Sequence, residues 1–254
     1  QEGLRTRCRS RVTSEQRAAA LETIASEVRA CTRCRLAEGR TNAVPGAGSP
    51  ETEVVFVGEG PGQNEDRQGR PFVGAAGSLL EELLGMIGWR RDDVFITNVV
   101  KCRPPNNRDP EPDEIAACRP FLQRQLEILD PALLVTLGRF SLQTFMPGDR
   151  ISRVHGTERP IEPSTGARAA TGYALYHPAA ALRQGSLKET MQRDMARVPE
   201  VLIRARAERA PADADPGLQT TSPAPDGASS TTEATTESAK DEPMSQPDDQ
   251  YGLF

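Results

Sequence analysis

Cys31-Thr-Arg-Cys34 is a two-residue-gap knuckle, and Cys102 and Cys118 follow downstream with fifteen residues between them. Four thiolates can close a tetrahedral zinc site or ligate an iron–sulfur cubane. Structural zinc usually recruits two close-spaced knuckles, so the wide second gap fits a cluster better. Zinc, and thiols that bind nothing, stay open as alternatives. A metal group here would pin an N-terminal helix and a Pro-rich loop to the body rather than carry electrons. The chain has five cysteines, and an odd number in a reducing compartment argues against a disulfide framework. Cys8 stands apart and reads as an exposed thiol.

A second set of residues offers polar chemistry without metal. Gly58-Glu59-Gly60-Pro61-Gly62 is followed by Glu65 and Asp66, Asn98 closes an apolar run, and His177 precedes Pro178. An amide presents one acceptor and two donors in fixed geometry. An imidazole can steady a departing anion, and a carboxylate can stabilise positive charge or align water. The chain has two histidines; the other, His155 in RVHGTE, fits no pattern and reads as a surface or loop residue. The GEGPG loop lacks the Lys-Ser/Thr pair of a phosphate-binding loop and a dinucleotide fingerprint, which argues against a nucleotide-binding enzyme.

The elements that must position these groups follow from periodicity. Thr13 and Gln16 form a capping box before a helix whose apolar positions Ala18, Leu21, Ile24, Ala25 and Val28 recur at helical spacing; it ends at Cys31. Apolar runs at 54–57, 94–97, 133–137 and 173–176 read as buried strands. Helices are expected over 78–87, from Pro112 or Asp113 to Leu129, over 139–145 and over 186–206. A long loop joins the first strand to its helix. Alternating strands and helices imply right-handed crossovers and a three-layer α/β/α fold around a mainly parallel four-stranded sheet. Ligands of such sheets bind beyond the carboxyl ends of the strands. Gly58-Glu59-Gly60, Asn98 and His177 each sit at such an end, so three distant segments converge on one rim.

Charge divides the chain. It carries a formal −5, but from Ala207 onward ten acidic residues face two basic ones, leaving 29 basic against 26 acidic before that point. A slightly basic, arginine-rich body with an acidic tail suits an enzyme that touches phosphates. Residues 1–12 read as a disordered basic arm, 13–206 as the catalytic domain and 207–249 as a disordered acidic linker with too few large apolar residues to order itself. No apolar run approaches the ~20 residues of a membrane span. The N-terminus lacks the apolar stretch of a secretory signal, so a cytoplasmic, nucleoid-associated monomer is expected.

GEGPG with Glu65-Asp66, then GRPFVGAAG, TNVVKCRPP and YHPAAALR occur in that order. Together with the spacing of Cys31, Cys34, Cys102 and Cys118, they resemble the iron–sulfur (family 4) uracil-DNA glycosylases over about residues 28 to 203. The resemblance implies a structural 4Fe-4S cluster on those four cysteines and hydrolysis of the uracil–deoxyribose N-glycosidic bond in DNA, the first step of base excision repair. By resemblance Gly58, Glu59 and Gly60 contact uracil and Glu65 stabilises charge.

Residue chemistry fits that task. A base must leave the stack to be cut, and Phe72 offers a face for it; such stacking is worth on the order of 1–3 kcal/mol. Asn98 can accept from uracil N3–H and donate to O4, a pattern that cytosine mismatches. His177 can donate to O2 as the base leaves. Which carboxylate among Glu59, Glu65 and Asp66 positions water stays open, because the Asp that other families carry at this point is Gly60 here. Leu182 resembles a minor-groove wedge and Arg183 a phosphate or minor-groove contact; Lys101, Arg103 and Arg108 are further candidates for phosphate. CRPPNNRDPEP holds no histidine, so turnover rather than covalent trapping is expected. A non-catalytic DNA-binding protein of the same fold is the rival reading, opposed by Asn98 and His177. The end of the chain, with Gln250, Leu253 and Phe254, resembles the peptide by which bacterial DNA-metabolising proteins dock on the sliding clamp.

Overall fold

The computed structural model describes residues 13–167 and 169–209. Its first half contains α1 (Ser14–Ala30), α2 (Leu36–Gly39), β1 (Ala47–Gly48), β2 (Val54–Gly58), α3 (Gln63–Gln68), α4 (Ala75–Met86), β3 (Phe95–Asn98) and α5 (Pro112–Leu129). Its second half contains β4 (Leu133–Leu137), α6 (Arg139–Phe145), α7 (Ile151–Val154), β5 (Glu158–Pro160), β6 (Thr171–Leu175), α8 (Pro178–Ala181), α9 (Gly185–Ala196) and α10 (Val198–Arg209).

The sheet runs β1-β3-β2-β4-β6-β5. Its four central strands are parallel and its two edges antiparallel. The expected four strands are therefore the middle of a six-stranded sheet. Both added strands are two or three residues long and carry Gly48 or Pro160. They are too short for a period-two signal, and proline belongs at edges, where its missing N–H is harmless.

Alternation along the strands divides the core into two layers. Val54 and Phe56 of β2 point to one face, with Leu80 and Leu83 of α4, Met191 and Met195 of α9, and Val201 of α10. Val55 and Val57 point to the other, with Ile24 and Val28 of α1, Phe121 and Leu126 of α5, and Phe145 of α6. Every residue of β2 is buried, as a central parallel strand requires.

Local signals set the helix ends. Gln16 N–H donates to Thr13 Oγ1 at 3.2 Å and Thr13 N–H to Gln16 Oε1 at 2.9 Å, the expected capping box, of a kind worth ~1 kcal/mol. Pro112 opens α5 at a position that needs no N–H. The single helix expected over 186–206 is two helices, α9 and α10, meeting at Arg197. Pro199 has no N–H to continue the ladder of α9 and instead sits in the first turn of α10. That helix runs to Arg209, three residues into the stretch expected to be linker. The loop expected after β2 contains α3, and α4 starts at Ala75, ahead of the expected Ser78. Cys8, residues 1–12 and the terminal Gln250, Leu253 and Phe254 lie outside the described residues.

Candidate active site

The carboxyl ends of β2 and β3 lie side by side, with Gly58 in register with Asn98. A Cβ on Gly58 would stand 2.5 Å from Asn98 Oδ1 and 2.7 Å from Phe72 Cζ. Only hydrogen at this position leaves the amide and the ring facing a common space. Past the strand ends the two chains stay zipped, Val99 N–H to Gly58 O at 2.9 Å and Val100 N–H to Glu59 O at 3.0 Å. Gly60 packs over Val100, where a Cβ would come within 2.8 Å of Cγ2.

Asn98 is 1% exposed, and its Oδ1 is a buried acceptor without a hydrogen-bond partner. Such an atom forfeits about 1–3 kcal/mol unless a donor reaches it. The Phe72 and His177 rings stand 5.7 Å apart between centroids at 32°. Phe72 is buried and adopts φ +52°, the left-handed region that bulky residues rarely occupy.

His177 caps α8, its Nδ1 accepting from Ala179 N–H at 3.1 Å. That bond leaves the ring proton on Nε2. Burial pulls its pKa down to about 4, against the opposing pull of the Glu65 carboxylate. The imidazole is therefore neutral near pH 7 and acts as an N–H donor. Gly58, Phe72, Asn98 and His177 thus gather at one end of the sheet.

The acidic residues divide by what they hold. Burial pushes the Glu59 carboxyl up to about 7, Asp109 adding to the rise and Arg139 opposing it; Arg139 is itself paired with Asp109. Glu65 Oε1 accepts Val73 N–H and Gly74 N–H, each at 2.8 Å, tying α3 to the loop that carries Phe72. Asp66 is 5% exposed and takes Thr41 N–H at 2.9 Å and Asn42 N–H at 3.3 Å. It braces the 41–42 turn.

Lys101 is not a phosphate contact: it is 1% exposed. Its ammonium donates to Thr97 Oγ1 at 2.6 Å, Gln125 Oε1 at 2.8 Å and the Asn98 carbonyl at 2.9 Å. Burial lowers its pKa to about 8. Arg108 pairs with Glu114 at 2.7 Å, and Arg103 Nε donates to Asn107 Oδ1 at 2.7 Å. Leu182 is 51% exposed at the end of α8, with the exposed Arg183 beside it.

Sequence reasoning missed Arg91. It belongs to a run of charged residues that looks solvated, yet its guanidinium donates to the Phe72 carbonyl at 2.7 Å and also to the Pro71 carbonyl.

Beyond the end of β3, Cys31, Cys34, Cys102 and Cys118 line one hollow with Arg40 and Lys101. Arg40 Nη1 donates to Cys102 Sγ at 3.0 Å and Lys101 N–H to Cys118 Sγ at 3.2 Å. Burial pushes the Cys118 thiol up to about 11 and raises Cys102, with the neighbouring cysteines adding to both.

The family model of the uracil DNA glycosylase superfamily matches residues 45–197. A type-4 uracil-DNA glycosylase of Sulfurisphaera tokodaii is 48% identical over 189 residues, covering 72% of this chain and 85% of the relative. One from Archaeoglobus fulgidus is 46% identical, covering 71% and 92%. Another, from Thermotoga maritima, is 48% identical, covering 65% and 85%.

Proposed function

The chain belongs to the type-4 uracil-DNA glycosylases of the uracil DNA glycosylase superfamily, and on that premise we propose how its residues excise uracil from DNA. The observation that carries the reading is the orphaned Oδ1 of Asn98, an acceptor waiting for a donor. Uracil N3–H supplies that donor, and the same amide donates to O4. Cytosine presents an acceptor where uracil has N3–H, so the orphan would stay unsatisfied and cytosine is refused. The swung-out base stacks on Phe72, and Gly58, Glu59 and Gly60 line its edge with backbone.

In the reaction the C1′–N1 bond breaks and its electron pair leaves with uracil. His177 Nε2–H donates to O2, where the negative charge develops; a neutral imidazole does this without itself losing a proton. Water adds to C1′, and the proton it gives up neutralises the uracil anion, leaving an abasic sugar and neutral uracil. Glu59 and Glu65 supply the carboxylates that stabilise the cationic sugar and orient the water. Glu59 is the better candidate for water because Glu65 Oε1 is already engaged by two backbone amides. Leu182 fills the vacated stack and Arg183 touches the backbone.

Cys31, Cys34, Cys102 and Cys118 would hold a 4Fe-4S cluster. The donor set is all sulfur, as such clusters require. The four thiols line one hollow with Arg40 and Lys101. When bound, the cluster supplies a structural clamp. Arg40 and the Lys101 amide then steady sulfur charge, and the helix ending at Cys31 is fixed to the segment after Asn98.

Among the described residues no helix is long and apolar enough to cross a membrane. The final Gln250, Leu253 and Phe254 are proposed as a sliding-clamp anchor. A pull-down in which deleting 250–254 leaves clamp capture unchanged would end that proposal.

The enzymatic reading is tested by incubating the brown, cluster-loaded protein with a uracil-containing oligonucleotide and cleaving abasic sites with alkali. Strand scission is expected; its absence would overturn the reading.

A further inference from the structure

We propose that Arg91 is a positioning residue for the aromatic platform, holding the Phe72 backbone in the left-handed conformation that turns the ring toward Gly58, Asn98 and His177. The inference rests on Phe72 being the surface on which uracil stacks. Phe72 has φ +52°. A bulky side chain keeps such a conformation only where its surroundings over-determine it.

Three surroundings do so. Arg91 Nη1 donates to the Phe72 carbonyl at 2.7 Å, and Nη2 to the carbonyl of Pro71. Glu65 Oε1 takes the next two amides, Val73 and Gly74, at 2.8 Å each. Gly77 of α4 lies under the Phe72 carbonyl, so closely that any Cβ would collide with it. The carbonyl before the turn and the carbonyl at it are thus pinned by one planar fork, and the amides after it by one carboxylate.

Arg91 suits this task. Its side chain is 14% exposed, so the two bonds are shielded from water, and its outer contact is Glu81 at 3.1 Å. Two donors in one rigid plane can fix two successive carbonyls at once, whereas an ammonium is a point donor on a flexible stem. Without the fork, Phe72 can relax toward an ordinary backbone conformation and carry its ring away from Gly58.

The test is a double-mutant cycle in single-turnover excision of uracil from an oligonucleotide. Arg91→Ala is expected to slow excision about tenfold in the otherwise wild-type protein. In the Phe72→Ala background the same change should do less than about twofold, because the platform is already gone. Affinity for undamaged DNA should not move, although a general collapse would move it. Inhibition by free uracil should weaken alongside excision. Arg91→Lys, the milder variant should Arg91→Ala fold poorly, is expected to fall between the two. Glu81→Gln, which leaves both carbonyl bonds in place, should match wild type.

The proposal fails if Arg91→Ala or Arg91→Lys excises uracil at the wild-type rate. It also fails if Arg91→Lys slows excision equally in both backgrounds. Phe72→Ala at the wild-type rate would sink the platform itself, and this inference with it. A damaged Phe72→Ala beside an intact Arg91→Ala sinks only the inference.

Discussion

The rim at the carboxyl ends of the strands and the sulfur hollow are joined by one short run, Asn98 to Cys102, yet they are built on opposite terms. In the hollow the polar atoms are served: Arg40 and the Lys101 amide donate to the sulfurs of Cys102 and Cys118. At the rim, satisfaction is withheld. Asn98 Oδ1 has no partner, Phe72 sits in a left-handed turn, His177 is held neutral and Glu59 is pushed toward protonation. Satisfied polar groups hold a fold, and the Asn98 acceptor at the end of β3 is left for a ligand to complete. Lys101 stands between the regions, its backbone amide on the Cys118 sulfur and its ammonium on the Asn98 carbonyl.

If that division is right, damage to the rim should cost catalysis and damage to the hollow should cost stability. The largest effect is expected at Asn98: Asn98→Ala should lower kcat/KM on the order of a thousandfold, with the melting temperature almost unmoved in the same preparation. A comparable loss of stability would erase the distinction.

The next effect belongs to the hollow. Cys118→Ser should lower the melting temperature by about 10 °C or more and bleach the brown colour. Protein that stays folded at low temperature should still cut uracil. Calorimetry beside the excision assay would separate the two outcomes.

The third concerns protons. Burial pushes the Glu59 carboxyl up to about 7, so if its carboxylate orients water, excision should rise about tenfold between about pH 6 and pH 8. Glu59→Gln should abolish the limb, and Asp109→Asn, by removing a like charge, should move it to lower pH. Its contribution to stability has the opposite sign. A carboxyl raised in the fold favours folding below its unfolded value and loses that contribution as pH rises through about 7. His177, neutral down to about pH 4, should add no limb near the usual histidine range.

A smaller catalytic effect should come from Lys101→Met. It strands the acceptors of Gln125 and Asn98 and should remove about 1–3 kcal/mol of stability while changing excision only a few-fold. Denaturant titration and single-turnover kinetics on one sample would check both halves. A catalytic loss matching that of Asn98→Ala would mean the two regions are one.

Much of this was legible beforehand, for reasons of range. The capping box at Thr13, the buried runs of β2 and β4 and the start of α5 at Pro112 depend on neighbours a few residues away. The rim depends on a rule about where parallel strands end, and that rule brought Gly58, Asn98 and His177 to one place on paper. Features that depend on a distant partner were hidden. Lys101 looks like a surface cation until Gln125 of α5 closes over it. Arg91 looks solvated until its fork reaches back to Pro71 and Phe72. The left-handed turn at Phe72 carries no glycine to announce it. Pro199 marks the break between α9 and α10, which the single helix expected over 186–206 runs across.

The central claim is that the orphaned oxygen of Asn98 is completed by uracil N3–H. Its most direct test is single-turnover excision from two oligonucleotides that differ only in carrying uracil or N3-methyluracil, with wild type and Asn98→Ala. Wild type should cut uracil and reject the methylated base by on the order of a thousandfold, whereas Asn98→Ala should treat the two nearly alike. Wild-type excision of N3-methyluracil at a rate close to that of uracil would contradict the account.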